Sequence, residues 1–174
     1  MAFLREDFRL EQAACRVDRV PRYKALIPAE EDLGPLMPYV NAVARVVFYD
    51  PREPVIVFRL GDYKVALRRE MAQLAEVRDV EEGRRGREAL EEFLEGVWSR
   101  REEIAPRHEP HTLPPALEIY RHLPQTNCGE CGEPTCLAFA AKLSTGEGDL
   151  ARCRPLAEEK WAAARARLEE MLGG

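Results

Sequence analysis

No run of apolar residues in this chain approaches the roughly 18–20 that a membrane span requires. Its first stretch, Met1 to Arg9, is interrupted by Arg5, Glu6 and Asp7, so no apolar leader core forms there and the expected location is the cytoplasm. A basic stripe is missing as well. The net charge is −5, and the only lysines are Lys24, Lys64, Lys142 and Lys160, which argues against a nucleic-acid partner. There are three histidines, His108, His111 and His122, too few to argue for a nucleophile, a base and an orienting group. No internal repeat is present. What remains is a globular composition, 45% apolar and 33% charged over 174 residues, enough for one ordinary domain or one domain with a small module. Thirteen prolines and many Glu–Arg neighbours suit a stiffened surface rich in ion pairs.

Two parts are legible, giving an α+β chain. In the first, residues 1–104, Phe8, Leu10, Cys15 and Val17 alternate with charged neighbours, as a half-buried strand does. Tyr23, Ala25 and Ile27 repeat the pattern after Pro21. Leu33 to Val43 has helical spacing at Leu36, Tyr39, Val40 and Val43. Val46–Tyr49 and Val55–Phe58 flank a Pro-rich turn at residues 50–54, and Gly61-Asp62 leads into a third strand at Tyr63, Val65 and Leu67. Periodicity does not decide between strand and helix for Met71 to Val77. Asp79 is a natural N-cap for a helix running to about Glu103, with Leu90, Phe93, Leu94, Val97 and Trp98 on one stripe and Gly83, Gly86 and Gly96 as local weak points. Helices laid on an antiparallel sheet follow. Residues 105–115 hold four prolines and no periodicity, and read as a stiff linker. The second part, residues 116–174, is expected to be small and mostly helical: a short helix at Ala116–His122, a cysteine loop, a helix from Pro134 ending at Gly146, and a final helix from Pro155 with Trp161, Leu168, Met171 and Leu172 on one side.

The cysteines carry the chemistry. Cys128, Cys131, Cys136 and Cys153 are spaced Cys-x2-Cys-x4-Cys-x16-Cys. In a reducing compartment such a group binds metal in preference to forming disulfides. Three ligands in a tight loop and a fourth from a distance can wrap a cubane, which takes one thiolate from each of four directions. Gly129 and Gly132 let the backbone bend and turn its amides inward, and Pro134 places Cys136 in the first turn of a helix, where negative charge is favoured. Zinc is the competing reading, since it also takes four thiolates and Cys-x2-Cys is its usual half-site. A second Cys-x2-Cys pair is absent, however, and spacing alone leaves both metals open.

Residues Ile119 to Ala140, with their Leu-Pro-x-Thr-Asn-Cys-Gly-x-Cys-Gly-x-Pro-Thr-Cys run from Leu123 to Cys136, closely resemble the iron–sulfur domain of the large subunit of the corrinoid iron–sulfur protein. Similar domains occur in the B subunit of Rnf-type electron-transport complexes and in some corrinoid-reducing activators. The resemblance covers roughly Pro115 to Leu156 and places Cys153 as the fourth ligand. It implies a [4Fe–4S] cluster on Cys128, Cys131, Cys136 and Cys153. It further implies single-electron transfer to a redox protein partner, which in the corrinoid case returns cobalt to Co(I). One departure is that Arg154 separates Cys153 from Pro155, where that family commonly has proline directly after the cysteine. Arg152 and Arg154 either offer a docking patch or pair with Glu147, Asp149 or Glu158, the pairing being the plainer expectation. No Asp-x-His-x-x-Gly cobalamin signature surrounds His108, His111 or His122. The whole arrangement resembles a family of small iron–sulfur proteins from anaerobes.

The remaining candidates read more plainly. Cys15 is expected to be a buried structural thiol, His108 and His111 exposed linker residues, and Trp98 and Trp161 core. Gly83-x-x-Gly86 lacks the strand and turn that phosphate binding requires. The functional expectation is a low-potential single-electron carrier, more an accessory protein than an enzyme, working with a corrinoid protein or its activator. The alternative is a non-redox binding or regulatory module with a structural cluster or a four-cysteine zinc site, because the first 104 residues show no redox signature.

Overall fold

A computed structural model describes residues 2–12 and 22–173. It divides into two compact units, Met1–His111 and Thr112–Gly174. The chain is α+β: an N-terminal antiparallel sheet, seven-stranded among the described residues, is followed by helices toward the C-terminus.

The first unit contains strands β1 (Arg9–Gln12), β2 (Tyr23–Pro28), β3 (Arg45–Asp50), β4 (Val55–Leu60), β5 (Tyr63–Arg68) and β6 (Met71–Val77), with helices α1 (Met37–Val43) and α2 (Val80–Ser99). The spatial order is β1-β2-β6-β5-β4-β3, with the two-residue strand β7 (His111–Thr112) beside β3. Strands β3 to β6 form a meander because tight turns join each to the next, and β2 then pairs with β6. The register explains why periodicity read correctly here. Val46, Phe58, Val65, Leu74 and Ala25 lie opposite one another across five strands, and Tyr49, Ile56, Leu67, Ala72 and Ile27 form a second such row. All ten are buried, so one face of the sheet is the core wall. Met71–Val77, undecided by spacing, becomes β6 because both its neighbours offer partners. Cys15 and Val17 lie outside the described residues.

Helix α2 covers this wall with Leu90, Leu94 and Val97 buried, and Phe93 lies 5.5 Å from Phe58 between ring centroids. It starts where expected: the Asp79 carboxylate accepts the Glu82 N–H at 2.8 Å. It stops at Ser99, one turn short of Glu103, where Arg100 leaves helical geometry. Gly83 and Gly86 are not weak points of an exposed helix. Both are buried, and a Cβ at Gly86 would lie 2.6 Å from Leu74 Cδ1 and 3.1 Å from Tyr63 Cε1. Trp98 packs edge-on to Phe3 and Tyr39, with the Arg101 guanidinium 4.7 Å over its ring. Glu91 on α2 accepts the Phe3 and Leu4 backbone N–H groups at 2.6 and 2.8 Å, tying down the N-terminal segment.

The Pro-rich stretch is held by side chains of this unit rather than hanging free up to His111. Asn41, 2% exposed on α1, donates its amide to the Arg107 and Glu109 carbonyls at 2.9 and 3.2 Å, and Arg107 N–H donates to Pro38 O. His111 corrects an expectation, since it is half-buried and its Nε2 lies 3.1 Å from Val46 O, a carbonyl that can only accept. Burial pushes the His111 imidazole below its ordinary value, outweighing the opposite effect of that hydrogen bond, and Arg107 pushes the same way as burial. A depressed folded-state value means that the unfolded chain takes up the proton first. Stability from this group is therefore full above about pH 6.5, the ordinary imidazole value, and is lost as pH falls toward the depressed one. Chemical denaturation of the native chain between pH 7.5 and 5 is expected to show this loss. His111→Gln, which keeps a donor to Val46 but does not titrate, should flatten the slope.

Candidate metal centre

The second unit has one core, and three of the four cysteines are part of it. Cys131, Cys136 and Cys153 are buried together with Ile119, Phe139, Leu143, Leu156 and Leu168, while Cys128 is exposed. The apolar members come from α3 (Ala116–His122), α4 (Cys136–Ser144) and α5 (Ala162–Leu172), and from the turns between them. A unit of about 60 residues buries too little apolar surface to be comfortably stable alone. Thiols occupying its centre make whatever they bind a part of that core.

Helix α4 aims Cys136. Thr135 is the N-cap, its Oγ1 accepting the Ala138 N–H at 3.0 Å, so Cys136 is the first helical residue and sits at the positive end of the helix. Pro134 precedes the cap and so lies two positions before the first helical residue, the place expected for it. The helix ends at Ser144, and Gly146 follows at φ 76°, allowing the Glu147 and Gly148 amides to turn back to Lys142 O at 2.8 and 2.9 Å. An ion pair from Lys142 to Glu133 at 2.6 Å joins α4 to the cysteine loop. That loop is tightly turned. Gly129 and Gly132 have φ of 74° and 90°, and the Gly132 N–H donates to Gly129 O at 2.9 Å. Side-chain-bearing Gln125 and Asn127 are also left-handed, at φ 56° and 48°.

Cys153 arrives between two 3-10 turns, Leu150–Arg152 and Arg154–Ala157, with the Asp149 carboxylate accepting the Ala151 N–H at 3.0 Å. Arg154-Pro155 thus starts the second turn, and the inserted arginine leaves Cys153 buried. This corrects the expected helix from Pro155: the chain proceeds in 3-10 turns through Trp161, and α5 begins only at Ala162, with Leu168 as its buried residue. Arg152 lies against the loop, so that a Cβ at Gly132 would meet its Nη2 at 2.8 Å. Of the acids considered for the two arginines, Glu158 pairs with Lys160 at 2.7 Å. His108 is exposed in the first unit and His122 ends α3.

Burial raises the Cys153 thiol above its ordinary value, and negative charge on Cys131, Cys136 and Cys128 raises it further, against a lowering contact from the Leu156 backbone. Cys153 therefore lies within electrostatic reach of the other three cysteines, and a bound metal cation would relieve that repulsion. Among the described residues, no three Cys, His, Asp or Glu side chains converge on a point that one ion would occupy. Four thiolates on a single zinc lie about 3.8 Å apart, each being about 2.3 Å from the metal. Four cysteine thiols, three buried and one exposed, are a donor set that an iron–sulfur cluster takes as readily as zinc does. Sequence reasoning missed Asn127, whose backbone N–H lies 3.4 Å from Cys136 Sγ and whose Oδ1 accepts the Cys136 N–H at 2.8 Å. The available signal was an Asn immediately before Cys-Gly, a residue type that tolerates left-handed backbone.

Residues 123–155 match the protein family described as "Putative Fe-S cluster". Over 57 residues the chain is 56% identical to the acetyl-CoA decarbonylase/synthase complex subunit gamma 1 of Methanosarcina thermophila, covering 32% of this chain and 12% of the relative. Over 37 residues it is 62% identical to the corrinoid/iron-sulfur protein large subunit of Moorella thermoacetica, covering 21% of this chain and 8% of the relative. The gamma subunit of Archaeoglobus fulgidus is 45% identical over 58 residues, 32% of this chain and 12% of the relative. The chain thus spans 12% or less of the length of these curated relatives. No solved structure matches it. The C-terminal region holds a domain of this Fe–S cluster family, homologous to part of the acetyl-CoA decarbonylase/synthase gamma subunits and of the corrinoid/iron-sulfur protein large subunit.

Proposed function

We propose that the chain binds one [4Fe–4S] cluster through Cys128, Cys131, Cys136 and Cys153 and passes single electrons at low potential to a protein partner in the cytoplasm. The observation that carries this is the placement of Cys131, Cys136 and Cys153 in one core cluster of the second unit, with Cys153 within electrostatic reach of the other two and of the exposed Cys128. When bound, the cluster supplies a one-electron couple, because its charge spreads over several iron and sulfide atoms. The protein's part is to hold four thiolates at fixed directions, to shield three of them from water with Phe139, Leu143 and Leu156, and to leave the Cys128 side open. Exposure at one ligand gives a partner a short approach, and burial of the others protects the iron. Two relatives are named as a subunit of the acetyl-CoA decarbonylase/synthase complex and as a corrinoid/iron-sulfur protein, which supports a corrinoid-dependent partner for this chain too.

Anaerobically prepared protein is expected to be brown, to carry about four iron atoms per chain and, on reduction with dithionite, to give a rhombic S = 1/2 EPR signal. Colourless protein with one zinc per chain would sink the proposal. A second reading rests on the same core placement: the cluster serves mainly to fold the second unit. A cluster that dithionite leaves silent, but whose removal melts helices α3 to α5, would favour that reading over electron transfer.

A further inference from the structure

Cys136 is joined to Asn127 by two hydrogen bonds running in opposite directions. The Asn127 N–H points to Cys136 Sγ at 3.4 Å, and the Cys136 N–H donates to Asn127 Oδ1 at 2.8 Å. Together they close a ring: the Oδ1 bond ties the start of α4 to the loop, and the thiol cannot swing away without losing the Asn127 N–H. The ring requires Asn127 to be left-handed, at φ 48°, a conformation its short amide tolerates better than most side chains. It also satisfies the N1 amide of α4, one of the donors a helix start leaves open, which Thr135 does not reach because its Oγ1 is taken by Ala138.

We propose that Asn127 is a positioning residue that locks Cys136 as a ligand and tunes the reduction potential of the cluster, an inference that rests on the cluster proposed above. An N–H donated to a ligating thiolate draws electron density from sulfur and stabilises the more negative, reduced state, raising the potential. The Oδ1 contact keeps that N–H in line with the sulfur. Without it, both the direction of the thiolate and the strength of the N–H···S bond relax.

The test compares the full native chain with Asn127→Gly and Asn127→Asp, all prepared anaerobically. Glycine keeps the left-handed backbone and the N–H but has no Oδ1, whereas aspartate keeps an oxygen acceptor. Asn127→Gly is expected to load iron, to be reduced at a lower potential in an EPR-monitored titration, and to lose iron to a chelator about tenfold faster. Asn127→Asp should release iron at the native rate. Native potential and native iron release in Asn127→Gly would overturn the role, as would equally fast release from Asn127→Asp. Native protein that binds no iron brings down the cluster proposal and this one with it, whereas iron-loaded native protein with an unaltered glycine variant removes only the role of Asn127.

Discussion

Cys136→Ser is expected to abolish stable cluster binding and to unfold the second unit while leaving the first intact. Three effects add. The buried thiolate proposed as a ligand is lost, the hydroxyl is desolvated in an apolar core beside Phe139 and Leu143, and the Asn127 N–H loses its sulfur partner. Ligand loss dominates, because metal binding in so small a core is folding free energy. The second unit should lose on the order of 3–5 kcal/mol, comparable to emptying a large core position. Iron content should fall at least tenfold, and limited proteolysis should cut within residues 112–174 faster than within residues 1–111. Cys128→Ser, at the exposed position, should retain more iron than Cys136→Ser. Equal iron retention in both would mean that burial does not rank the four ligands.

The second large effect lies in the other unit and sets two glycines of one helix against each other. By helix propensity alone, alanine at either Gly86 or Gly96 would stabilise α2 by about 1 kcal/mol. Gly96 has open space around it, so Gly96→Ala should realise that gain and raise Tm by about 4–8 °C. At Gly86 the new methyl would meet Leu74, which is fully buried, and the Tyr63 ring, and neither can move without disturbing the sheet. Overpacking of this kind costs about 1–3 kcal/mol, which exceeds the propensity gain. Gly86→Ala is expected to lower Tm by about 5–10 °C in the same thermal scan. A Gly86→Ala protein as stable as the native chain would show that α2 can lift from the sheet at little cost.

These two glycines show where reading the sequence stopped. Their identity weakens a helix, and nothing local indicates that the backbone must come within a methyl of Leu74 and Tyr63. Asn127 is a similar case: it stands nine residues from Cys136, and only the folded loop brings its amide and the thiol together. His111 read as an exposed linker residue because prolines surround it, yet a long-range carbonyl at Val46 holds it in place. The final segment read as one helix from Pro155, but α5 begins only at Ala162, after 3-10 turns that carry the chain on from Cys153. In contrast, β4 and β5 bury alternate residues, Ile56 and Phe58 on one and Val65 and Leu67 on the other, and leave a period of two in the sequence.

The four cysteines, their spacing and the motif around them were determined by the sequence alone, since ligand chemistry resides in residue type and a tight loop needs few residues to specify it. The tertiary structure decided which thiols are buried, which amide faces Cys136 and why α2 must carry glycine where it crosses the sheet. Those depend on contacts between segments distant in the chain, and burial at such contacts is a property of the packed whole that no local pattern encodes.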